Sequence, residues 1–276
     1  MGKVLVIDVA ECVGCYCCQI VCKDEHVGND WSPYAKPQPD TGHFWLKIDE
    51  KERGTIPKVK VTYIPVLCMH CDNAPCIPAC PQNAIVKRGD GVVLITPDKC
   101  DGCRLCLDAC PYGVIYYNTE LKIAQKCTLC THLLDRGWKE TRCVGICQRE
   151  AMLLGEENDP KIKALLEKAE VLHPEYGTKP RVYYLNLPKP FIAGTIVDPS
   201  TRECLEGAKI TATDLVEGVR YQTTSDEFGD FWIKDLKWGH RYLIEVSKEG
   251  YASKKVGVAH TDKDINLGTI ALLKLP

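Results

Sequence analysis

Sixteen of the chain's 18 cysteines fall into four groups of four, and their spacing constrains the fold more than any other feature. The first group is Cys12-x2-Cys15-x2-Cys18-x3-Cys22. The second is Cys68-x2-Cys71-x4-Cys76-x3-Cys80-Pro81, and the third is Cys100-x2-Cys103-x2-Cys106-x3-Cys110-Pro111. The fourth is Cys127-x2-Cys130-x12-Cys143-x3-Cys147. Cys17 and Cys204 stand outside the groups, and Cys204 alone lies beyond Cys147. The cysteine chemistry of this 276-residue chain therefore belongs to its N-terminal part.

The third group is the run by which bacterial ferredoxins hold iron–sulfur cubes: three closely spaced thiolates grip one cube, and the fourth, before a proline, reaches its neighbour. A disulfide framework would not repeat Cys-x2-Cys or set Cys17 beside Cys18. Zinc is the competing reading, since paired Cys-x2-Cys motifs build structural tetrahedral sites. The fourth group on its own fits zinc well. The second and third do not, because zinc has no use for a third close cysteine plus a trailing one. Cys17 reads as an extra thiol beside a cluster, Cys204 as a packed or free thiol, and His70 as a loop residue rather than a ligand.

Between the second and third groups, two β-rich runs flank Arg88-Gly89-Asp90-Gly91, a hairpin signal. Motif, hairpin, motif is the layout of a two-cluster ferredoxin. It pairs Cys68, Cys71 and Cys76 with Cys110, and Cys100, Cys103 and Cys106 with Cys80. The same logic leaves Cys12, Cys15 and Cys18 for Cys147, and Cys127, Cys130 and Cys143 for Cys22. One ferredoxin-like unit is then nested inside another. The fourth group departs from the pattern in the long gap between its second and third cysteines and in Gln148, which stands in the proline position. The expected total is four 4Fe-4S clusters, or three if that group is empty.

The surroundings narrow the setting. The start, Met1 to Ala10, is an apolar run broken by Asp8 and reads as a first strand, without a signal-peptide cleavage site or twin-arginine pair. No run of 18 apolar residues is present, so no membrane span is expected. A cytoplasmic location follows as an expectation, and there thiols serve as metal ligands more often than as disulfides. With 35 basic and 37 acidic residues, the charge of −2 offers no footprint for nucleic acid.

The four groups, in this order, resemble the iron–sulfur subunit of the DMSO-reductase family of molybdenum enzymes. Cys22-Lys-Asp24, Lys126-Cys-Thr-Leu-Cys130 and the tail from Pro174 to Leu185 carry the likeness further, over about residues 3 to 187. The resemblance implies a heterodimer with a large catalytic subunit holding a molybdenum bis-pterin guanine dinucleotide. This chain would transfer electrons and hold no substrate.

From Phe191 the pattern changes to seven short β-runs: Phe191–Val197, Ala208–Thr213, Val219–Thr224, Asp230–Ile233, Arg241–Ser247, Lys254–Ala259 and Leu267–Leu273. Seven such runs with turn signals suggest a β-sandwich. The series from Gly194-Thr-Ile-Val-Asp198 to Gly250-Tyr251 resembles the carboxypeptidase regulatory-type, immunoglobulin-like module. The expected fold class is α+β, with nested ferredoxin-like clusters in residues 1–188 and a seven-stranded immunoglobulin-like sandwich in residues 189–276. A candidate helix at Lys161–Leu172, with Pro160 in its first turn, precedes the boundary. The missing anchor and the sandwich tail together are similar to small subunits of hydroxytransferases acting on polyhydroxylated aromatic rings. A respiratory-type molybdenum reductase or dehydrogenase subunit and a free polyferredoxin are the alternatives.

Overall fold

In the computed structural model, which describes residues 2–276, the elements follow the punctuation of the cysteine groups. Strand β1 (Lys3–Asp8) precedes helix α1 (Cys17–His26) and the long strands β2 (Leu46–Thr55) and β3 (Lys58–Leu67). Strands β4 (Ile85–Lys87) and β5 (Val93–Ile95) lead to α2 (Leu105–Ala109), then β6 (Tyr116–Asn118) and β7 (Ile123–Gln125). Short helices α3 (Thr131–Leu134) and α4 (Arg142–Gly145) precede β8 (Met152–Glu156), α5 (Pro160–Leu166) and β9 (Val182–Leu185). Seven strands follow: β10 (Ile192–Val197), β11 (Lys209–Asp214), β12 (Arg220–Thr224), β13 (Asp230–Ile233), β14 (Arg241–Ser247), β15 (Lys254–His260) and β16 (Ile265–Ala271).

The chain divides into two units. One comprises the residues up to Glu50 with Tyr63–Leu187, and the other comprises Lys51–Thr62 with Pro188–Pro276. A single cut after residue 188 leaves 51–62 with the first unit, whereas the structure groups this hairpin tip with the second. None of the strands expected from the sequence falls there.

In the first unit, β1 is the middle strand of a three-stranded sheet. Leu5 faces Leu154 of antiparallel β8, and Ile7 faces Tyr184 of parallel β9. Val4 to Ile7 are all buried, which an unbroken apolar run permits when both sheet faces are covered. Tyr184 is fully buried, and its hydroxyl donates to the Pro65 carbonyl at 2.9 Å. Around this sheet the core is largely sulfur: Cys18, Cys22, Cys68, Cys71, Cys76, Cys106, Cys127 and Cys143 belong to the same buried cluster as Trp45, Leu67 and Met69. The expected hairpin is present as β4–β5, with Lys87 opposite Val93 across the Arg88–Gly91 turn. Helix α5 starts as expected, with the Asp159 side chain accepting from the Lys161 N–H. It ends at Leu166, not Leu172, because Glu170 leaves the helix to exchange backbone hydrogen bonds with Tyr184 of β9, at 2.8 and 2.7 Å.

In the second unit, β13-β10-β16 form one sheet and β12-β11-β14-β15 another. Ile192, Ile196 and Phe231 of the first share a core with Ile210, Tyr242 and Ile244 of the second. Burial alternates along β11 and β14, as a strand with one core face requires. The strand positions match the seven expected runs, with ends shifted by a residue or two. Arg53 in the hairpin tip pairs with Asp264, and Lys58 pairs with Asp230.

Candidate metal centres

The first Cys-x2-Cys pair of each group closes on a left-handed residue just before its second cysteine: Gly14, His70, Gly102 and Leu129 all have positive φ. This conformation turns the loop tightly enough to aim successive thiols and backbone N–H groups at one space. The fourth group shares it despite the long gap further on. A second repeat follows the trailing cysteines. Asn83, Gly113 and Glu150 also have positive φ, and each donates its N–H to the carbonyl three residues earlier, from Cys80, Cys110 and Cys147. Gln148 therefore replaces the usual proline without changing the turn.

Backbone N–H groups point at the sulfurs. Ala84 donates to Cys80 Sγ at 3.3 Å, Ala151 to Cys147 Sγ at 3.3 Å, Ala124 to Cys100 Sγ at 3.4 Å and Leu129 to Cys127 Sγ at 3.3 Å. Sequence reasoning missed these donors. The visible signal was Cys-x3-Ala, present at both Cys80–Ala84 and Cys147–Ala151.

Gly102 is the tightest of these loops. At φ +75° a side chain is strained, and a Cβ there would strike the Lys122 carbonyl. Gly102→Ala is expected to cost at least ~1–2 kcal/mol from the left-handed conformation alone, and to lower the iron retained by the purified chain. Iron retention equal to wild type would show that the loop has slack.

The thiols gather into sets. Cys68, Cys71, Cys76 and Cys110 line one cavity, with Val93, Val114 and Ile115 on its walls. Cys80, Cys100, Cys103 and Cys106 line a second, beside Ala84 and Ala124. Cys12 adjoins Cys15 and Cys147, and Cys22 adjoins Cys127, Cys130 and Cys143, closely enough for their charges to interact. Successive sets also come within range of charge interaction in order: Cys18 with Cys143, Cys127 with Cys68, and Cys106 with Cys76. The four sets thus form a line, with the Cys22 and Cys68 sets in the middle. Among the described residues, no three His, Cys, Asp or Glu converge tightly enough to hold one metal ion. Tetrahedral zinc with Zn–S near 2.3 Å would bring its sulfurs within about 4 Å of one another. Thiols spread around a cavity, with N–H donors aimed at them, suit a cube better.

His70 is fully buried, with Nδ1 accepting from the Val93 N–H at 3.1 Å and Nε2 without a partner. Burial holds its pKa well below the usual value. Cys17 is a half-buried free thiol and Cys204 an exposed one.

Burial pushes the Cys18, Cys71, Cys106 and Cys127 thiols up to about 12, and neighbouring cysteines push the same way. Because the folded values exceed the unfolded ones, the metal-free fold gains stability from neutral thiols below pH ~8.5 and loses it as pH rises towards 12. Iron-bound thiolates have already lost their protons. The chelated, reduced chain is therefore expected to unfold by circular dichroism as pH climbs above about 9, while the iron-loaded chain holds. Identical pH profiles would contradict this.

The sequence matches two families: the 4Fe-4S dicluster domain over residues 59–157, and the carboxypeptidase regulatory-like domain over residues 192–272. It is 41% identical to the pyrogallol hydroxytransferase small subunit of Pelobacter acidigallici, covering 97% of this chain and 98% of that protein. A sulfite dehydrogenase subunit of Allochromatium vinosum is 34% identical over 85% of this chain and 98% of its own length. The arsenate respiratory reductase iron–sulfur subunit of a Shewanella species is 34% identical over 66% of this chain and 94% of its own. The chain belongs to the iron–sulfur subunits of the DMSO-reductase family of molybdenum enzymes. This family member is an oxidoreductase subunit of the electron-transferring kind, a ferredoxin-like 4Fe-4S domain followed by a carboxypeptidase-regulatory, immunoglobulin-like one. Among its described residues no helix is long and apolar enough to cross a membrane.

Proposed function

We propose that the chain is the electron-transfer subunit of a cytoplasmic heterodimeric hydroxytransferase acting on polyhydroxylated aromatic rings of the pyrogallol type. The observation that carries this is the match to the pyrogallol hydroxytransferase small subunit, which runs through both units of the chain. The partner is a large subunit holding molybdenum on a bis-pterin guanine dinucleotide, where the rings react. In this chain Cys12, Cys15, Cys18 and Cys147 hold one cube, and Cys22, Cys127, Cys130 and Cys143 a second. Cys68, Cys71, Cys76 and Cys110 hold a third, and Cys80, Cys100, Cys103 and Cys106 a fourth. When bound, a cube supplies a one-electron site whose potential follows charge, exposure and hydrogen bonds to sulfur.

The chain's own residues set those conditions. The N–H groups of Ala84, Ala124, Leu129 and Ala151 stabilise negative charge on Cys80, Cys100, Cys127 and Cys147. Burial of the two middle sets keeps water from Cys22, Cys68, Cys71, Cys76, Cys127, Cys130 and Cys143. Moving a hydroxyl between two rings needs no outside electrons, so the cubes would poise or activate the molybdenum centre rather than deliver current.

A second reading, as part of a sulfite dehydrogenase, rests on the 34% match over 85% of the chain. The purified complex separates them. Hydroxyl transfer from a pyrogallol-type donor, in a preparation containing molybdenum and a larger chain, is expected. Sulfite oxidation with an artificial acceptor and inertness towards pyrogallol would sink the hydroxytransferase reading. Purification as a single chain with iron alone would point to a free polyferredoxin.

A further inference from the structure

Two lysines lie against the sulfur sets, and they differ in counter-charge. Lys87 donates to the Cys71 carbonyl at 2.8 Å, and Asp72 neutralises it at 2.7 Å. Lys126 is only 2% exposed. Its ammonium donates to the carbonyls of Val93 and, at 3.1 Å, Cys127. Among the described residues no carboxylate pairs with it. Its two acceptors sit on different sets: Val93 walls the cavity of Cys68, Cys71, Cys76 and Cys110, and Cys127 belongs with Cys22, Cys130 and Cys143. Lys126 is therefore an uncompensated cation wedged between the two middle sets of the line. Cys76 of one and Cys127 of the other both feel its positive charge.

Reducing a cube adds one negative charge to it. A nearby cation, held dry and without a carboxylate, favours that state, because charge interactions strengthen as the local dielectric falls. Resting on the reading that the cysteine sets hold cubes, we propose that Lys126 sets the potentials of the two middle cubes, raising both and making the centre of the line the place where an electron settles. Lys126 touches no substrate. It acts through the cubes on either side.

The test is a redox titration of the purified complex followed by electron paramagnetic resonance, with iron and sulfide measured on each sample. Lys126→Gln keeps N–H donors for the two carbonyls and removes the charge, and Lys126→Arg keeps the charge. At a fixed ambient potential, Lys126→Gln is expected to lower the reduced-to-oxidised ratio of two cubes about tenfold, equivalent to about 59 mV for a one-electron couple. The other two cubes stay put, and Lys126→Arg titrates like wild type. Unmoved ratios in Lys126→Gln with full iron overturn the inference, as does an equal shift in Lys126→Arg. Loss of iron from Lys126→Gln also overturns it, by making Lys126 a structural group. A wild-type complex without cubes fails the underlying reading, and the inference with it. Cubes present with unmoved ratios fail the inference alone.

Discussion

Replacing Cys143 with serine is expected to remove one whole cube, taking the iron of the purified complex from about sixteen per small subunit to about twelve, at four irons per cube. Cys143 is the critical position because its group is the one whose spacing also fits zinc. It is buried, its thiol lies 3.2 Å from Thr141 Oγ1, and it adjoins Cys22, Cys130 and Cys18. It thus belongs to the second set of the line and sits at the junction with the first. Losing that site leaves a gap in the relay. Reduction of the cubes beyond the gap is expected to slow, measured by stopped-flow absorbance. Twelve irons in the wild type, unchanged by Cys143→Ser and accompanied by one zinc, would remove this cube from the protein.

Arg53→Ala is expected to destabilise the second unit by about 3–5 kcal/mol, the range for breaking a buried ion pair from one side. Arg53 Nε and Nη2 reach the two Asp264 oxygens at 2.9 and 2.7 Å, and Nη2 also donates to the Lys189 carbonyl at 2.6 Å. The paired side chains are only 12% and 6% exposed, and the guanidinium lies over the rings of Phe191 and Trp238. Without Arg53, Asp264 keeps a hydrogen bond from the Phe191 N–H and only the more distant charge of Lys60. Denaturant unfolding of the full chain, read by tryptophan fluorescence, measures the loss. Trp232 and Trp238 report on this unit. A change below 1 kcal/mol would mean that water, not Arg53, balances Asp264, and that the hairpin tip contributes little to the unit's stability.

Much of the protein is legible in its sequence. Strand β1, the Arg88–Gly91 hairpin and the start of α5 follow from local patterns of a few residues. The C-terminal strands are legible for the same reason, since alternation and turn residues act at short range. What escapes is long-range. The β2–β3 hairpin is covered by no expected strand, and its Arg53 and Lys58 find partners more than a hundred residues away. The end of α5 escapes for a similar reason, because Tyr184 captures Glu170.

At the candidate centres the same division holds. Sequence alone singled out the sixteen candidate cysteines, because a loop that wraps a cube must space its thiols within a few residues. Tertiary structure alone decided which sets adjoin, in what order they line up, and what charge lies between them. Lys126 is separated from Val93 by 33 positions, and nothing in either neighbourhood announces their contact. A buried charge acts through space, and distances through space depend on how remote segments pack, which short-range spacing does not encode.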